Sequence, residues 1–278
     1  MNSTKPSVLI VILNYGTFEM TLHLIRELRV SLEYDNYEIM VVDNCSPNES
    51  AEVLEKKSRE LNFIFYKNKT NAGYAAGNNI GIRYGIEHGF RYSWILNNDV
   101  ELREKNILEH MIEIAEKNPV VGCVGPMIYA LDGSICAPYC RRLTFWNMTL
   151  GIVAEKRYRE KYIYVSREVY RVYGCCMLLN NKVMSDVDCM DERTFLYGEE
   201  DILAERMLAK KYVSYYDSVV SVTHKESASM KNMLKNRKKV QIRETSKSME
   251  LYLKEYRKFS TLERWMCKLV RSLIIQAG

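Results

Sequence analysis

The first half of the chain alternates between two hydrophobic patterns. Ser7-Val-Leu-Ile-Val-Ile-Leu13 is an unbroken apolar run rich in β-branched residues, too short for a helix and flanked by Pro6 and Asn14. Segments 37–42, 63–66 and 92–96 repeat the type. Such runs lack polar alternation and read as strands buried on both faces, as in a parallel sheet. Between them lie amphipathic stretches with helical spacing. Residues 17–30 place Met20, Leu24 and Leu28 on one face, and 49–61 follow the turn and cap signal Ser46-Pro47-Asn48. Residues 75–87 and 105–117 complete the series. Strand, helix, strand, helix predicts right-handed βαβ units in an open α/β sheet. Ligands of such sheets bind outside the carboxyl ends of the strands, and Asn14, Asp43 and Asp99 all fall at such ends.

The second half is less regular. Residues 121–129, 173–179 and 212–222 read as strands, and 199–210 as a helix with Leu203, Met207 and Leu208 inward. Residues 134–173, rich in Tyr and Arg, read as a loop-rich excursion with short strands. After His224 the pattern is helical, with Met, Leu and Tyr among Lys and Arg. The pattern divides the chain into a domain at 1–225, with halves at about 1–130 and 131–225, and a basic helical extension at 226–278.

Composition adds few constraints. The chain has 278 residues, 47% hydrophobic and 27% charged, enough for a full core. The net charge of +5 is a property of the tail. Residues 225–278 carry 14 Lys+Arg against 5 Asp+Glu, and the remainder 26 against 30. Basic charge so confined, without a recognition motif, argues against nucleic acid. Eight cysteines without a regular framework suggest free thiols in a reducing cytoplasm. Cys136 and Cys140 lack a nearby second pair for zinc. No secretory signal is visible at the start, and no apolar run approaches the roughly 20 residues of a membrane span.

Four polar fragments carry candidate chemistry. Trp94-Ile-Leu-Asn97-Asn98-Asp99 ends a buried strand in oxygen-bearing side chains, either a plain turn or a site for a hard cation such as Mg²⁺ or Mn²⁺. In Asn71-Ala-Gly73-Tyr74-Ala-Ala-Gly77-Asn-Asn-Ile-Gly81 the glycines recur every four residues. Close helix–sheet packing accounts for Gly77 and Gly81, while the first turn could offer N–H groups to an anion. The segment is not GxGxxG and follows the third strand, which disfavours a dinucleotide fold. Gly198-Glu199-Glu200-Asp201 puts three carboxylates at a helix start. The helix dipole favours one or two there; a third adds repulsion, as where a carboxylate must act as a base. His224 ends a strand-like run and could reach the same edge as a metal ligand.

With these residues in place, the chain resembles a family 2 glycosyltransferase of the GT-A fold, in the rhamnosyltransferase-like branch. The resemblance runs in order through Val11-Ile-Leu-Asn14-Tyr15, Val41-Val42-Asp43-Asn44, the 71–81 segment, Leu96-Asn97-Asn98-Asp99-Val100, Gly174-Cys175-Cys176-Met177-Leu178, Phe195-Leu-Tyr-Gly198-Glu199-Glu200 and His224. It implies an open, mostly parallel sheet flanked by helices. It implies that Asp43 holds the nucleobase or ribose, and that Asn14, Tyr15, Asn71, Gly73, Tyr74, Asn97 and Asn98 line the nucleotide-sugar pocket. Asp99 stands at the metal position of the family's DxD signature, with Asn97 in place of its first Asp, and His224 completes the site. Glu200, with Glu199 beside it, takes the place of the general base, and Gly174 and Cys175 that of the acceptor strand.

The implied partners are a divalent cation (Mn or Mg), a nucleotide-diphosphate sugar and a saccharide or lipid-linked acceptor, as in cell-surface polysaccharide synthesis. Two rival readings are a sugar-phosphate nucleotidyltransferase and a catalytically silent nucleotide-sugar-binding scaffold. The first needs a basic glycine-rich loop after strand one, which Asn14-Tyr15-Gly16-Thr17 does not supply. The tail segment from Leu262 through Trp265 and Leu269 to Leu273 reads either as a helix packed on the domain or on a second copy, or as a basic amphipathic helix on the anionic inner face of a membrane.

Overall fold

In the computed structural model, residues 5–225 and 234–277 are described, those at 234–241 and 272–277 by backbone alone. The apolar runs form strands β1 (Val8–Asn14), β2 (Tyr37–Asp43), β3 (Ile64–Lys67) and β4 (Tyr92–Leu96). Between them stand α1 (Phe18–Ser31), α2 (Ser50–Glu60) and α3 (Tyr74–Glu87). Strand β5 (Val100–Leu102), α4 (Ile107–Lys117) and β6 (Val121–Ala130) follow. Segment 134–173 folds as β7 (Ile135–Cys136), α5 (Phe145–Met148), α6 (Ile152–Glu160) and β8 (Arg167–Val169), so two short helices join the expected short strands. Then come β9 (Cys176–Asn180), α7 (Asn181–Asp186), α8 (Glu199–Ala209) and β10 (Val213–His224). Helix α9 (Leu234–Leu251), a π-helical turn (Tyr252–Tyr256) and α10 (Thr261–Ala277) end the chain.

The sheet order is β3-β2-β1-β4-β9-β6-β10-β5. Strands β1 to β4 pair in parallel, as do β6 and β10. Strand β9 runs antiparallel between β4 and β6, so its first residues lie at the edge where β1, β2 and β4 end. Side chains of β1 alternate between two cores. Val8, Ile10 and Ile12 face α1 and α4, whereas Leu9 and Val11 face α3, α7 and α8. All five are fully buried, and each contributes roughly 1.5–3 kcal/mol by leaving water.

Helix α3 lies directly on β1 because its contact face is glycine. A Cβ at Gly77 would stand 2.5 Å from Leu13 Cδ1, and one at Gly81 would stand 2.4 Å from Val11 Cγ1. Close packing therefore accounts for both glycines. Gly81→Ala should cost about 1–3 kcal/mol through overpacking. Urea denaturation checks this, and an unchanged midpoint would show that α3 can lift off the sheet without penalty.

Candidate active site

The site forms where β4 ends, because three registers meet there. Asn97 N–H donates to Cys175 O at 2.9 Å, which sets the start of β9 beside the β4 exit. Three residues on, β5 pairs antiparallel with β10, placing His224 opposite Val100 and next to Asp99. Lys225 N–H then donates to Asp99 O at 2.9 Å. As a result His224 Nε2 lies 3.2 Å from Asp99 Oδ1. Asp99 is buried and His224 half-buried.

The three acids at the start of α8 have different surroundings. Two successive left-handed residues, Tyr197 (φ 69°) and Gly198 (φ 89°), turn the chain into the helix, a strained approach of the kind found at functional sites. Asp201 pairs with Arg171 at 2.8 Å. Glu200 Oε1 accepts from Gly174 N–H at 3.1 Å. Glu199 is buried, and its Oε2 has no hydrogen-bond partner among the described residues. Burial, then the neighbouring Glu200 charge, pushes the Glu199 carboxyl well above its ordinary 4.5.

The loop before α3 docks on this segment. Phe195 O accepts from Tyr74 N–H at 2.8 Å, and Asn71 Oδ1 accepts from Gly73 N–H at 3.1 Å. These two N–H groups, expected to face an anion, are therefore engaged within the protein. Gly73 sits at φ 95°, and a Cβ there would lie 2.2 Å from Phe195 O. Tyr74 donates its hydroxyl to Gly174 O at 2.6 Å. Burial, then the Glu200 and Glu199 charges, raises its pKa and keeps it protonated.

Other expected nucleotide contacts form a buried support. Asn14 Nδ2 donates to Asp43 Oδ2 at 2.8 Å, Ser46 donates to both Asp43 oxygens, and Thr21 donates to Asn14 Oδ1. Asn14 and Asp43 are fully buried. Asp43, expected at the nucleoside, here holds the β2 exit together because the 43–46 turn wraps its carboxylate. Asn98 turns away from the cleft and donates to Thr17 Oγ1 and Thr21 Oγ1, each at 2.9 Å. Tyr15, by contrast, is 43% exposed.

A cleft of 470 Å³ gathers Tyr74, Asn97, Gly174, Cys175, Glu199, Glu200 and His224. Sequence patterns missed its remaining walls. Arg171 lay in the unassigned excursion, and its Tyr- and Arg-rich composition was the available signal. Thr245, Ser248 and Met249 of α9 and Arg271 of α10 also line the cleft, so the basic extension is a wall of the site.

Asp99 and His224 suit a divalent cation. Two donors about 2.1 Å from an octahedral ion, in adjacent positions, lie about 3 Å apart, close to the 3.2 Å observed. No group of three or more His, Cys, Asp or Glu is arranged for a metal among the described residues. The pair would leave coordination positions for ligand oxygens.

The fold and this two-donor edge define a GT-A type α/β protein with an acidic cleft. The profile of glycosyl transferase family 2 matches residues 7–187, and the chain belongs to that family. It is 25% identical over 194 residues to the low-salt glycan biosynthesis hexosyltransferase Agl10 of Haloferax volcanii, covering 69% of this chain and 58% of the relative. It is 27% identical over 152 residues to the N-acetylglucosaminyl-diphospho-decaprenol L-rhamnosyltransferase of Mycobacterium tuberculosis, covering 49% and 48%. The chain thus spans about half to three-fifths of the length of these curated relatives. Among solved structures, the mannosyltransferase PcManGT of Pyrobaculum calidifontis, in complex with GDP-Man and Mn²⁺, superposes with a TM-score of 0.63 at 12% identity, over 99% of this chain and 77% of that one. GalNAc-T7 with UDP, GalNAc and Mn²⁺ gives 0.57 at 16%, over 78% and 43%.

The buried Glu199 has a consequence for stability. Its folded pKa lies above the unfolded value, so above pH 4.5 the native state retains a proton that the unfolded chain releases. Stability then falls as pH rises through this window. Glu199→Gln removes that dependence, so the melting temperature of wild type should drop relative to the variant between about pH 5 and about pH 8. Thermal melts across that range check this, and a constant gap would contradict it.

Proposed function

We propose that the protein transfers a sugar, with inversion, from a nucleotide-diphosphate donor to an acceptor hydroxyl, with Glu200 as general base. The observation that carries this is the convergence of Glu200 and His224 on one cleft, with Asp99 directly behind His224. Family membership and the names of the relatives point the same way.

Asp99 and His224 would hold a divalent cation. Bound there, the ion supplies positive charge against the diphosphate of the departing nucleotide. Glu200 accepts the proton of the attacking hydroxyl. The Gly174 N–H holds one of its oxygens, which fixes the carboxylate while the second oxygen serves the substrate. Glu199, kept protonated by burial, adds no second negative charge beside it. Arg171 offsets Asp201, so the acidic helix start carries one working base. Tyr15 and Asn71 stand at the nucleoside side, with Asn14 and Asp43 as their support. Asn97 lies at the sugar end, and Gly174 and Cys175, just before β9, lie on the acceptor side.

Glu200→Gln should keep nucleotide-sugar binding within a few-fold and lower kcat by about 10²–10⁴. Asp99→Ala should instead weaken donor binding and abolish its dependence on Mn²⁺. Isothermal titration with and without Mn²⁺, beside transfer assays, separates the two. Wild-type turnover by the Glu200 variant would refute the base assignment.

We also propose that α10 meets an anionic membrane surface. Leu262, Trp265 and Leu269 recur along one face and are exposed, whereas Cys267 is buried. Helix α5 packs on α10, and nearby Trp146, Leu150 and Val153 are exposed as well. Apolar side chains facing outward among cations suit an interfacial helix. No helix among the described residues is long and apolar enough to cross a membrane. The full chain should float with phosphatidylglycerol liposomes, and a Trp265→Glu, Leu269→Glu variant should not. No flotation of the parent, with a dimer that the variant splits in light scattering, would place a second copy on this face instead.

A further inference from the structure

Beside the cleft that holds Glu199 and Glu200 lies a larger cavity. This second space of 630 Å³ lies between the 139–171 excursion and the C-terminal helices. It shares Tyr139, Arg171, Asp201, Met249, Tyr252 and Arg271 with the cleft, so the two are contiguous. Leu143, Met148, Ile152 and Ile242 give it an apolar lining. Charge in the lining is one-sided: Arg141, Lys156, Arg159, Arg171, Lys268 and Arg271 stand against Glu155 and Asp201.

Most of these cations are committed to the protein. Arg141 pairs with Glu155, Arg171 with Asp201 and Lys268 with Glu250, while Arg159 donates to Ala137 O and Pro138 O. Arg271 differs. It is half-buried on the same side of α10 as Cys267, at the junction of the two spaces, and has no hydrogen-bond or ion-pair partner among the described residues. Burial lowers its pKa from the ordinary 12.5, and the Asp201 carboxylate opposes this only in part. A guanidinium left in that position is costly unless an anion meets it.

Taking the cleft as the transfer site proposed above, we infer that the second cavity seats the acceptor, an amphiphile in which a phosphate or diphosphate joins the sugar to an apolar chain, and that Arg271 binds that phosphate. The apolar lining takes the first part of the chain, the guanidinium takes the phosphate, and the sugar hydroxyl extends toward Glu200. The donor diphosphate would meet the cation that Asp99 and His224 hold, and neither residue lines this cavity. Arg271 lines both spaces and lies beside the apolar lining, which assigns it to the other substrate.

Titration calorimetry on the full chain tests this with four probes: farnesyl diphosphate, farnesol, inorganic pyrophosphate, and UDP with Mn²⁺. Farnesyl diphosphate should bind roughly tenfold or more tightly than farnesol or pyrophosphate, since both the chain and the charge contribute. Arg271→Gln should weaken it by roughly tenfold and leave UDP unchanged, which also shows that the variant is folded. Arg271→Lys should recover part of the loss, and Ile152→Trp, which narrows the cavity, should weaken farnesyl diphosphate but not pyrophosphate. An Arg271→Gln variant that binds farnesyl diphosphate like wild type overturns the inference. So does an equal loss for UDP, which would put Arg271 on the donor. If UDP binds and farnesyl diphosphate does not, the acceptor inference alone fails. If UDP does not bind wild type, the transfer reading fails and the acceptor role with it.

Discussion

Strand β9 runs against its neighbours in the middle of the sheet, and the placement of the site follows from that reversal. Had it run parallel to β4, its first residues would lie at the opposite edge. Gly174 would then be remote from Asn97, and Glu200 would lose the N–H that holds it. The register of the reversed strand is enforced by burial. Residues Cys176–Asn180 are buried throughout and bond to β4 on one side and β6 on the other. A slip of one residue would exchange the faces of the whole strand. The short β5–β10 pairing acts in the same way on Asp99 and His224, because strand register leaves those two side chains no independent position.

The electrostatics of the cleft follow from giving each acid a different environment. Three carboxylates in sequence at a helix start would repel one another if all were charged. Asp201 has a cation, Glu200 has the Gly174 N–H, and Glu199 is buried, with backbone donors that only partly offset the burial. Neutralising Glu199 by proton uptake removes the repulsion that would otherwise fall on Glu200. The arrangement costs stability at neutral pH, because the buried Glu199 retains a proton that the unfolded chain releases.

The C-terminal helices reverse the usual polarity of a surface helix. On α10 the apolar stripe of Leu262, Trp265 and Leu269 points out, while Arg264 and Arg271 are more enclosed. Water on both faces does not account for this pattern. A membrane outside and an anionic substrate inside would make both faces favourable. The same helices would then bring the protein to the bilayer and close the wall through which a lipid-borne acceptor reaches the base.

The sequence alone determined the parallel half of the sheet, since unbroken apolar runs of this length have few other solutions, and it located the strand-end residues Asp43, Asn97 and Asp99. The acids at 199–201 and His224 were legible as chemistry because turn and capping preferences do not account for their number and position. It left open which acid is buried and which is paired, because three adjacent carboxylates look alike until the fold separates them. It also left open where Arg171 and Arg271 lie, since they come from an irregular excursion and a basic tail. Strand β5 has only three residues, too few for any periodicity to register. Only the tertiary structure decided these, since burial and the pairing of distant segments set the charge and reach of a side chain, and neither is a local property of the chain.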